Sequence, residues 1–133
     1  MSSSFRDLRV WQEAMQLATD TYKATAEFPK HELFGLVQQM RRAAVSIPSN
    51  IAEGKGRRTD GEFRQFLFNA RGSLMELETQ LAIAEELQYL TESRLALLQE
   101  EATNVGRALS GLIKAMQRTD SRSRTADDER RTA

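Results

Sequence analysis

Residues 95–116 read LALLQEEATNVGRALSGLIKAM and carry the clearest structural pattern in this chain. Apolar side chains recur at alternating steps of three and four residues, at Leu95, Leu98, Ala102, Val105, Leu109, Leu112 and Met116. This spacing is typical of one face of an α-helix and continues as a heptad pattern. Thr91 is the predicted cap of this helix. A neighbouring row consists of small or short residues, which favour close approach of another helix: Asn104, Ala108, Gly111 and Ala115.

Three earlier stretches have the same helical period. The first runs from about residue 8 to residue 27, with Asp7 as the predicted N-cap and Phe28-Pro29 as its end. It carries two parallel apolar rows, Leu8, Trp11, Met15, Ala18, Tyr22 and Val10, Ala14, Leu17, Thr21, Ala24. Core packing is the ordinary explanation for Trp11 and Tyr22, and stacking of nucleic-acid bases is the less favoured one.

The second stretch begins near residues 30–32 and ends at Glu53-Gly54, since glycine is a common helix terminator. Its apolar row is Leu33, Leu36, Met40, Ala44, Ile47 and Ile51. Pro48 removes a backbone hydrogen bond, but the row keeps its phase to Ile51, so we expect a kinked helix and not a break.

The third stretch follows the basic loop Lys55-Gly56-Arg57-Arg58, with Thr59 or Asp60 as its cap. Its apolar row is Phe63, Phe66, Ala70, Leu74, Leu77, Leu81 and Ala84. Gly72 costs about 1 kcal/mol relative to alanine inside a helix. We therefore interpret it as a point of close approach between helices.

Four helices joined by short loops predict an all-α fold, an antiparallel up-down-up-down four-helix bundle with a kinked second helix. An elongated coiled-coil dimer is the alternative, and the three loop signals argue against it. The bundle domain is predicted over residues 5–117. Residues 118–133 have almost nothing to bury, so a disordered charged tail is expected there.

Composition excludes several classes of function. The 133 residues include no cysteine and one histidine, which removes thiolate chemistry and most histidine-based metal or acid–base sites. His31 is expected to be a surface or capping residue. Lys55-Gly56 lacks the spacing of a phosphate-binding loop, and the pairs Glu85-Glu86 and Glu100-Glu101 are expected to face solvent. We predict no enzymatic activity, no metal and no cofactor.

Without a membrane segment or an export signal, a cytoplasmic location is expected.

Several motifs together resemble a known bacterial family. They are FRDL at 5–8 with VW at 10–11, FP at 28–29, ELFGL at 32–36, QMRRAA at 39–44, SIPSNIAEG at 46–54, GSL at 72–74 and ELETQL at 76–81. This set resembles the S23 family, the four-helix-bundle proteins encoded by intervening sequences in 23S ribosomal RNA genes. The resemblance implies a homopentamer around a central pore and no established enzymatic activity. It also points to a related accessory variability protein of diversity-generating retroelements, which acts with a reverse transcriptase and nucleic acid.

Charge is unevenly distributed along the chain, although 19 basic and 19 acidic residues cancel. The segment from residue 38 to residue 71 contains three acidic and seven basic residues. The basic residues are Arg41, Arg42, Lys55, Arg57, Arg58, Arg64 and Arg71. These seven are the candidate nucleic-acid-binding residues. Residues 72–101 carry seven acids against Arg94 alone.

Two functions follow as alternatives. The first is a ring-forming scaffold whose arginines contact RNA or DNA, or a reverse transcriptase-like protein, without sequence specificity. The second is an adaptor that binds only proteins, through the acidic end between the third and fourth helices or through the outer face of the ring. In that case Arg41, Arg42 and Arg71 pair with acids such as Glu76 and Glu78, and the arginines of the loop are solvated. The near-neutral sequence pI of 6.6 favours the second explanation of the arginines.

Overall fold

A computed structural model describes the backbone of residues 4–132 and the side chains of residues 4–118. It contains four α-helices, α1 (Arg9–Thr25), α2 (Leu36–Lys55), α3 (Asp60–Glu86) and α4 (Glu92–Thr132), with short 3-10 helices at Phe5–Asp7 and Lys30–Glu32. No strand occurs among the residues so described. The predicted all-α class with four helices is confirmed.

Contacts between the helices show that sequential neighbours run in opposite directions. The hydroxyls of Ser46 in α2 and Ser73 in α3 lie 2.8 Å apart, while Gly54, near the end of α2, contacts Phe63, near the start of α3. Leu74 of α3 lies beside Gly106 of α4, and further along the pair Leu81 of α3 and Ala102 of α4 line one groove, so α3 and α4 are antiparallel as well. α1 packs on both α2 and α4 and closes the four helices around one core.

The side chains at the centre of this core come from all four helices. The largest of those that are fully buried and apolar are Leu17, Met40, Ile47, Ile51, Leu67, Leu74, Leu77, Leu98, Val105 and Leu109. Most belong to the predicted apolar rows. Phe63, Phe66 and Leu112 are only half-buried. Leu67, next to Phe66, and Ile113, next to Leu112, are buried in their place.

The helix ends are capped partly as predicted. Thr59 Oγ1 accepts a hydrogen bond from the Glu62 amide at 3.1 Å, and Thr91 Oγ1 accepts one from the Arg94 amide at 3.2 Å. The predicted cap at Asp7 is wrong. Asp7 closes a 3-10 turn, in which its carboxylate accepts from the Ser4 amide, and α1 starts only after Leu8.

The start of α2 also differs from the prediction. Residues 30–32 form a 3-10 turn, and α2 begins at Leu36 after an irregular backbone conformation at Gly35. Leu33 therefore leaves the predicted core row, and its side chain is exposed. The helix continues through Pro48 as predicted, with Ile47 and Ile51 both fully buried. The size of the kink at Pro48 stays a prediction.

Gly72 does not mark a close approach of helices. A Cβ atom built there would meet nothing within 4 Å, whereas one built at Gly54 would lie 2.6 Å from Phe66 Cβ. The close approach lies at Gly54, which is buried, and α2 ends one residue later, at Lys55, close to the predicted end. Gly54 is therefore a point of close contact between α2 and α3 as well as a residue near the end of α2.

The division of the chain into a domain over 5–117 and a disordered tail over 118–133 stays a prediction. The backbone of α4 continues to Thr132, while the side chains of residues 119–133 lie outside the described residues. The helices of the described region also lack the combination of length and continuous apolar character that crossing a bilayer requires.

Candidate functional site: a basic end and an apolar face

The seven candidate arginines and lysine do not form a single patch. Lys55, Arg57, Arg58 and Arg64 lie in or beside the α2–α3 connection. Arg42 precedes Lys55 by thirteen residues of the same helix, a separation of about 20 Å along its axis. Arg71 lies between the two groups, two residues before Ser73, which contacts Ser46 midway along α2. The structure therefore groups four of the seven at one end of the bundle.

Aromatic rings and one acid hold the cations at the α2–α3 connection. The guanidinium of Arg57 lies 4.8 Å from the centre of the Phe66 ring, and its Nη2 is 2.9 Å from Glu53 Oε1. Lys55 Nζ lies 5.9 Å from the centre of the Phe63 ring. Both rings are only half-buried, so the cations stay at the surface. Arg58 is exposed and forms no ion pair within the described part of the chain.

The start of α1 and the later part of α4 bring further basic residues to this end of the bundle. We define the basic end as residues 4–14, 52–66 and 104–118. The antiparallel fold brings the start of α1 beside the end of α2, since Trp11 and Ala52 line one groove. Arg9 and Arg107 likewise line a groove between α1 and α4. Nine basic and five acidic residues leave the basic end with a charge of +4. Sequence reasoning missed the residues of α1 and α4 because they are distant along the chain.

Arg41 has a structural role. Its Nε donates to Thr25 Oγ1 at 3.0 Å, its Nη2 donates to the Tyr22 carbonyl at 3.3 Å, and its guanidinium lies 4.6 Å from the centre of the Tyr22 ring. These contacts place a cation at the C-terminal end of α1, where the helix dipole favours it. Arg41 does not pair with Glu76 or Glu78 among the described residues. Such an ion pair was the alternative to a role of Arg41 in nucleic-acid binding.

Arg42 and Arg71 likewise form no ion pair with Glu76 or Glu78 in the described region. The Arg71 guanidinium lies 4.9 Å from the centre of the Phe68 ring, and the Arg42 side chain is exposed. Ion pairs with Glu76 and Glu78 therefore do not neutralise these arginines within the described residues.

Large apolar side chains are exposed mainly on one side of the bundle. Of nine such residues in the described region, five lie on the surface formed by α1, α2 and the preceding turn. With half-buried Trp11 they define the α1–α2 face: Trp11, Met15, Tyr22, Leu33, Phe34 and Val45. Phe34 is 86% exposed and Tyr22 is 44% exposed. The expectation that Trp11 and Tyr22 belong to the core is wrong for Tyr22, because the second apolar row of α1 occupies the core.

Two shallow grooves run along the α1–α2 face. One, of about 510 Å³, is lined by residues that include Trp11, Met15 and Pro48. The other, of about 490 Å³, is lined by residues that include Phe34, Arg41 and Arg42. Tyr22 and Val45 line both grooves, so the two are adjacent. The result is a continuous apolar surface with two arginines at one end.

A carboxyl pair, Asp20 of α1 and Glu101 of α4, lies between these two helices. Burial raises the pKa of Glu101 to about 8, and its hydrogen bond to Asp20 acts in the same direction. That hydrogen bond is also the main cause that lowers the pKa of Asp20, which accepts a further bond from Gln16 Nε2 at 3.0 Å. The raised pKa favours a proton on Glu101, and the protonated carboxyl can donate to Asp20. The prediction that Glu101 faces solvent is wrong, because its side chain is half-buried. Asp20 was not among the predicted residues because its partner is 81 residues away in the sequence.

The remaining residues that the sequence singled out do not form a catalytic or metal-binding cluster within the described region. His31 is exposed as predicted, and its Nε2 lies 3.5 Å from the hydroxyl of Tyr89, which donates to Glu32 Oε2 at 2.9 Å. No group of three or more histidine, cysteine, aspartate or glutamate side chains suited to a metal ion occurs within the described region.

Comparisons with known proteins agree with this architecture. The model of a family described as 23S rRNA-intervening sequence protein matches residues 6–111. A crystal structure of a protein with unknown function from the S23 ribosomal protein family of Bacteroides thetaiotaomicron superposes with a TM-score of 0.71. The sequences are 22% identical over 79% of this chain and 98% of that one, so this likeness shows the fold alone. No curated protein matches the chain.

Proposed function

This chain belongs to the 23S rRNA-intervening sequence protein family, and we propose that it is a non-enzymatic, ring-forming scaffold whose basic end contacts nucleic acid or a protein that acts on nucleic acid. Copies of the chain associate through the α1–α2 face. Five copies per ring is the number that the family resemblance implies. Each copy contributes its own basic end to the assembly.

The exposure of the α1–α2 face is the observation that carries the proposal. Monomeric soluble proteins rarely expose large contiguous apolar patches, and those that do use them for binding. Here an aromatic residue that is 86% exposed, Phe34, stands beside Leu33, Tyr22 and Val45, each more than 40% exposed. Burying this surface against another copy removes apolar area from water, at a gain of about 25 cal/mol per Å² before the cost of association.

The placement of cations supports the second part of the proposal. Arg57 and Lys55 lie on aromatic rings, which fix their positions while leaving donors free for phosphate oxygens. A +4 end repeated around a ring concentrates positive charge although one chain is neutral. Such a surface attracts polyanions without reading base sequence.

The assembly is tested by light scattering on Val45→Glu. The wild-type protein is expected at a multiple of its 15.1 kDa chain mass. The variant is expected at the mass of one chain, because a carboxylate cannot be buried unpaired in an apolar contact. Val45 is 42% exposed, so the bundle itself tolerates the change.

Ala96→Glu, an exposed position on α4, is the matched control and should assemble like the wild type. A wild-type mass of one chain at every concentration would refute the scaffold. Equal dissociation by both substitutions would place the contact elsewhere than on the α1–α2 face.

A further inference from the structure

We infer that the surface covering the α1–α2 face is the second half of α3, residues 72–86, of another copy of the chain. This inference rests on the proposed self-assembly and specifies its two contacting surfaces. The contact is heterologous, because the surface on one copy differs from the surface on the next.

The second half of α3 offers an apolar surface that the bundle leaves uncovered. Met75 is 64% exposed and Ile83 is 45% exposed. They are eight residues apart, which is about 12 Å along the helix, and Thr79 lies between them. The Thr79 hydroxyl already donates to the Met75 carbonyl at 2.9 Å, so burying it leaves no donor unsatisfied. Gly72 has open space around it, which permits a close approach by another copy.

The charges of the two surfaces are complementary. Residues 72–86 contain Glu76, Glu78, Glu85 and Glu86 and no basic residue. All four are exposed. The groove beside Phe34 is bordered by Arg41 and Arg42. An apolar contact flanked by opposite charges favours this pairing.

The dimensions also agree. The α1–α2 face has two adjacent grooves that meet at Tyr22 and Val45, and the acidic half of α3 has two exposed apolar side chains on either side of Thr79. With Val45 opposite Thr79, one large side chain enters each groove. Each groove, of about 500 Å³, has room for such a side chain.

The charged tail of the same chain is not a suitable occupant. Residues 118–133 contain no apolar side chain larger than the methyl groups of Ala126 and Ala133. They have nothing to place in grooves lined by Trp11, Met15 and Phe34. A second copy supplies both the apolar side chains and the acids.

A heterologous contact leaves one free surface of each kind at the ends of any open chain of copies. Such contacts repeat head to tail until they close a ring or extend as a filament. The inferred pairing therefore accounts for ring formation by a chain of this kind without a second type of interface.

Cross-linking tests the pairing directly, because the chain has no cysteine. Val45→Cys, Thr79→Cys and the double variant are treated with a short bis-maleimide reagent and resolved on a denaturing gel. Both positions are exposed, so the folded chain tolerates them. The double variant is expected to give a ladder of covalently linked chains, and each single variant is expected to stay at one chain. A double variant of Val45→Cys with Ala96→Cys is the matched control and should give no ladder.

The outcomes separate this inference from the proposed function. Linked dimers of Val45→Cys alone would show a symmetric contact, which overturns the pairing with α3 but leaves self-assembly intact. An assembled double variant that gives no ladder would overturn the pairing as well. If the wild-type protein is a monomer by light scattering, the proposed scaffold fails and the pairing fails with it.

Discussion

Gly54 shows how a single residue sets the distance between two helices. A Cβ atom at this position would lie 2.6 Å from Phe66 Cβ and 2.9 Å from Phe63 Cδ1. Because Phe66 Cβ is attached directly to the backbone of α3, a rotamer change cannot move it away. Any side chain at position 54 therefore forces α2 and α3 apart, at the level where Lys55 and Arg57 lie on the rings of the same two phenylalanines.

Gly54→Ala should accordingly destabilise the bundle. Overpacking costs about 1–3 kcal/mol, which outweighs the roughly 1 kcal/mol that alanine contributes over glycine in a helix. We expect the free energy of unfolding in urea to fall by about 1 kcal/mol. Gly111→Ala is the control, since a Cβ there meets nothing within 4 Å, and it should raise the stability instead. Equal effects of the two changes, measured at one protein concentration, would contradict the close approach at Gly54.

At the scale of elements, the packing of α1 on α4 depends on the proton shared by Asp20 and Glu101. Asp20 is only 7% exposed, and Glu101 Oε2 is buried with no hydrogen-bond partner if the carboxyl is ionised. A proton on Glu101 provides a donor to Asp20 and leaves one negative charge between the helices. Burial is the main reason why the pKa of Glu101 is raised to about 8, and the hydrogen bond to Asp20 and the repulsion between two adjacent carboxylates act in the same direction.

The stability of the bundle should therefore fall as the pH rises from about 4.5, the ordinary pKa of glutamate, to about 8. In this window the unfolded chain has released the Glu101 proton, whereas the folded chain still holds it. The free energy of unfolding should fall by at most about 1.4 kcal/mol per pH unit, the value for one proton. Because Glu101 is partly exposed, screening by solvent narrows the pH range over which the fall occurs. Above pH 8 this contribution levels off. The lowered pKa of Asp20 acts oppositely, and its stabilisation is lost only as the pH falls below the ordinary aspartate value of 3.8.

Glu101→Gln removes the titrating proton while its amide still donates to Asp20. The variant should lose most of the slope between pH 4.5 and 8 and be more stable than the wild type at pH 8, as measured by urea unfolding at several pH values. Glu100→Gln, at the exposed neighbouring carboxyl, should keep most of the slope. The same slope in wild type and Glu101→Gln would show that this pair does not control the pH dependence.

The whole molecule is electrically polarised along its length. The basic end carries +4, and the remaining charge of the described bundle is concentrated in the acidic second half of α3 and the start of α4. Three segments that are far apart in sequence contribute to the basic end, since an antiparallel bundle brings the start of α1, the α2–α3 connection and the later part of α4 together. In a ring, this arrangement would give each copy a cationic tip whose effect adds to that of its neighbours.

The nucleic-acid contact is tested by fluorescence anisotropy with a labelled single-stranded RNA at two salt concentrations. Arg57→Ala with Arg58→Ala is expected to weaken binding about tenfold at low salt and to reduce its salt dependence, because phosphate contacts release counterions. Lys23→Ala with Lys30→Ala removes the same charge from exposed positions away from the basic end and should have little effect. Equal losses in the two double variants would refute a specific role of the basic end. A complete absence of RNA binding by an assembled wild-type protein would favour the protein-binding adaptor.

Features that depend on near neighbours along the chain could be predicted from the order of the residues alone. The number and order of the helices and the caps at Thr59 and Thr91 follow from helical periodicity and from hydrogen bonds that span three residues. The motifs that resemble the S23 family were equally visible, and the family match over residues 6–111 confirms them.

Which apolar surface is buried depends on how the helices pack against one another. The two apolar rows of α1 have the same period, and the one containing Leu17 enters the core because α2 and α4 close over it, which leaves Met15 and Tyr22 outside. The same reason applies to Gly54, to Glu101 and to the composition of the basic end. Burial, close approach and local charge depend on which residues meet in space, and helices distant in sequence supply those neighbours.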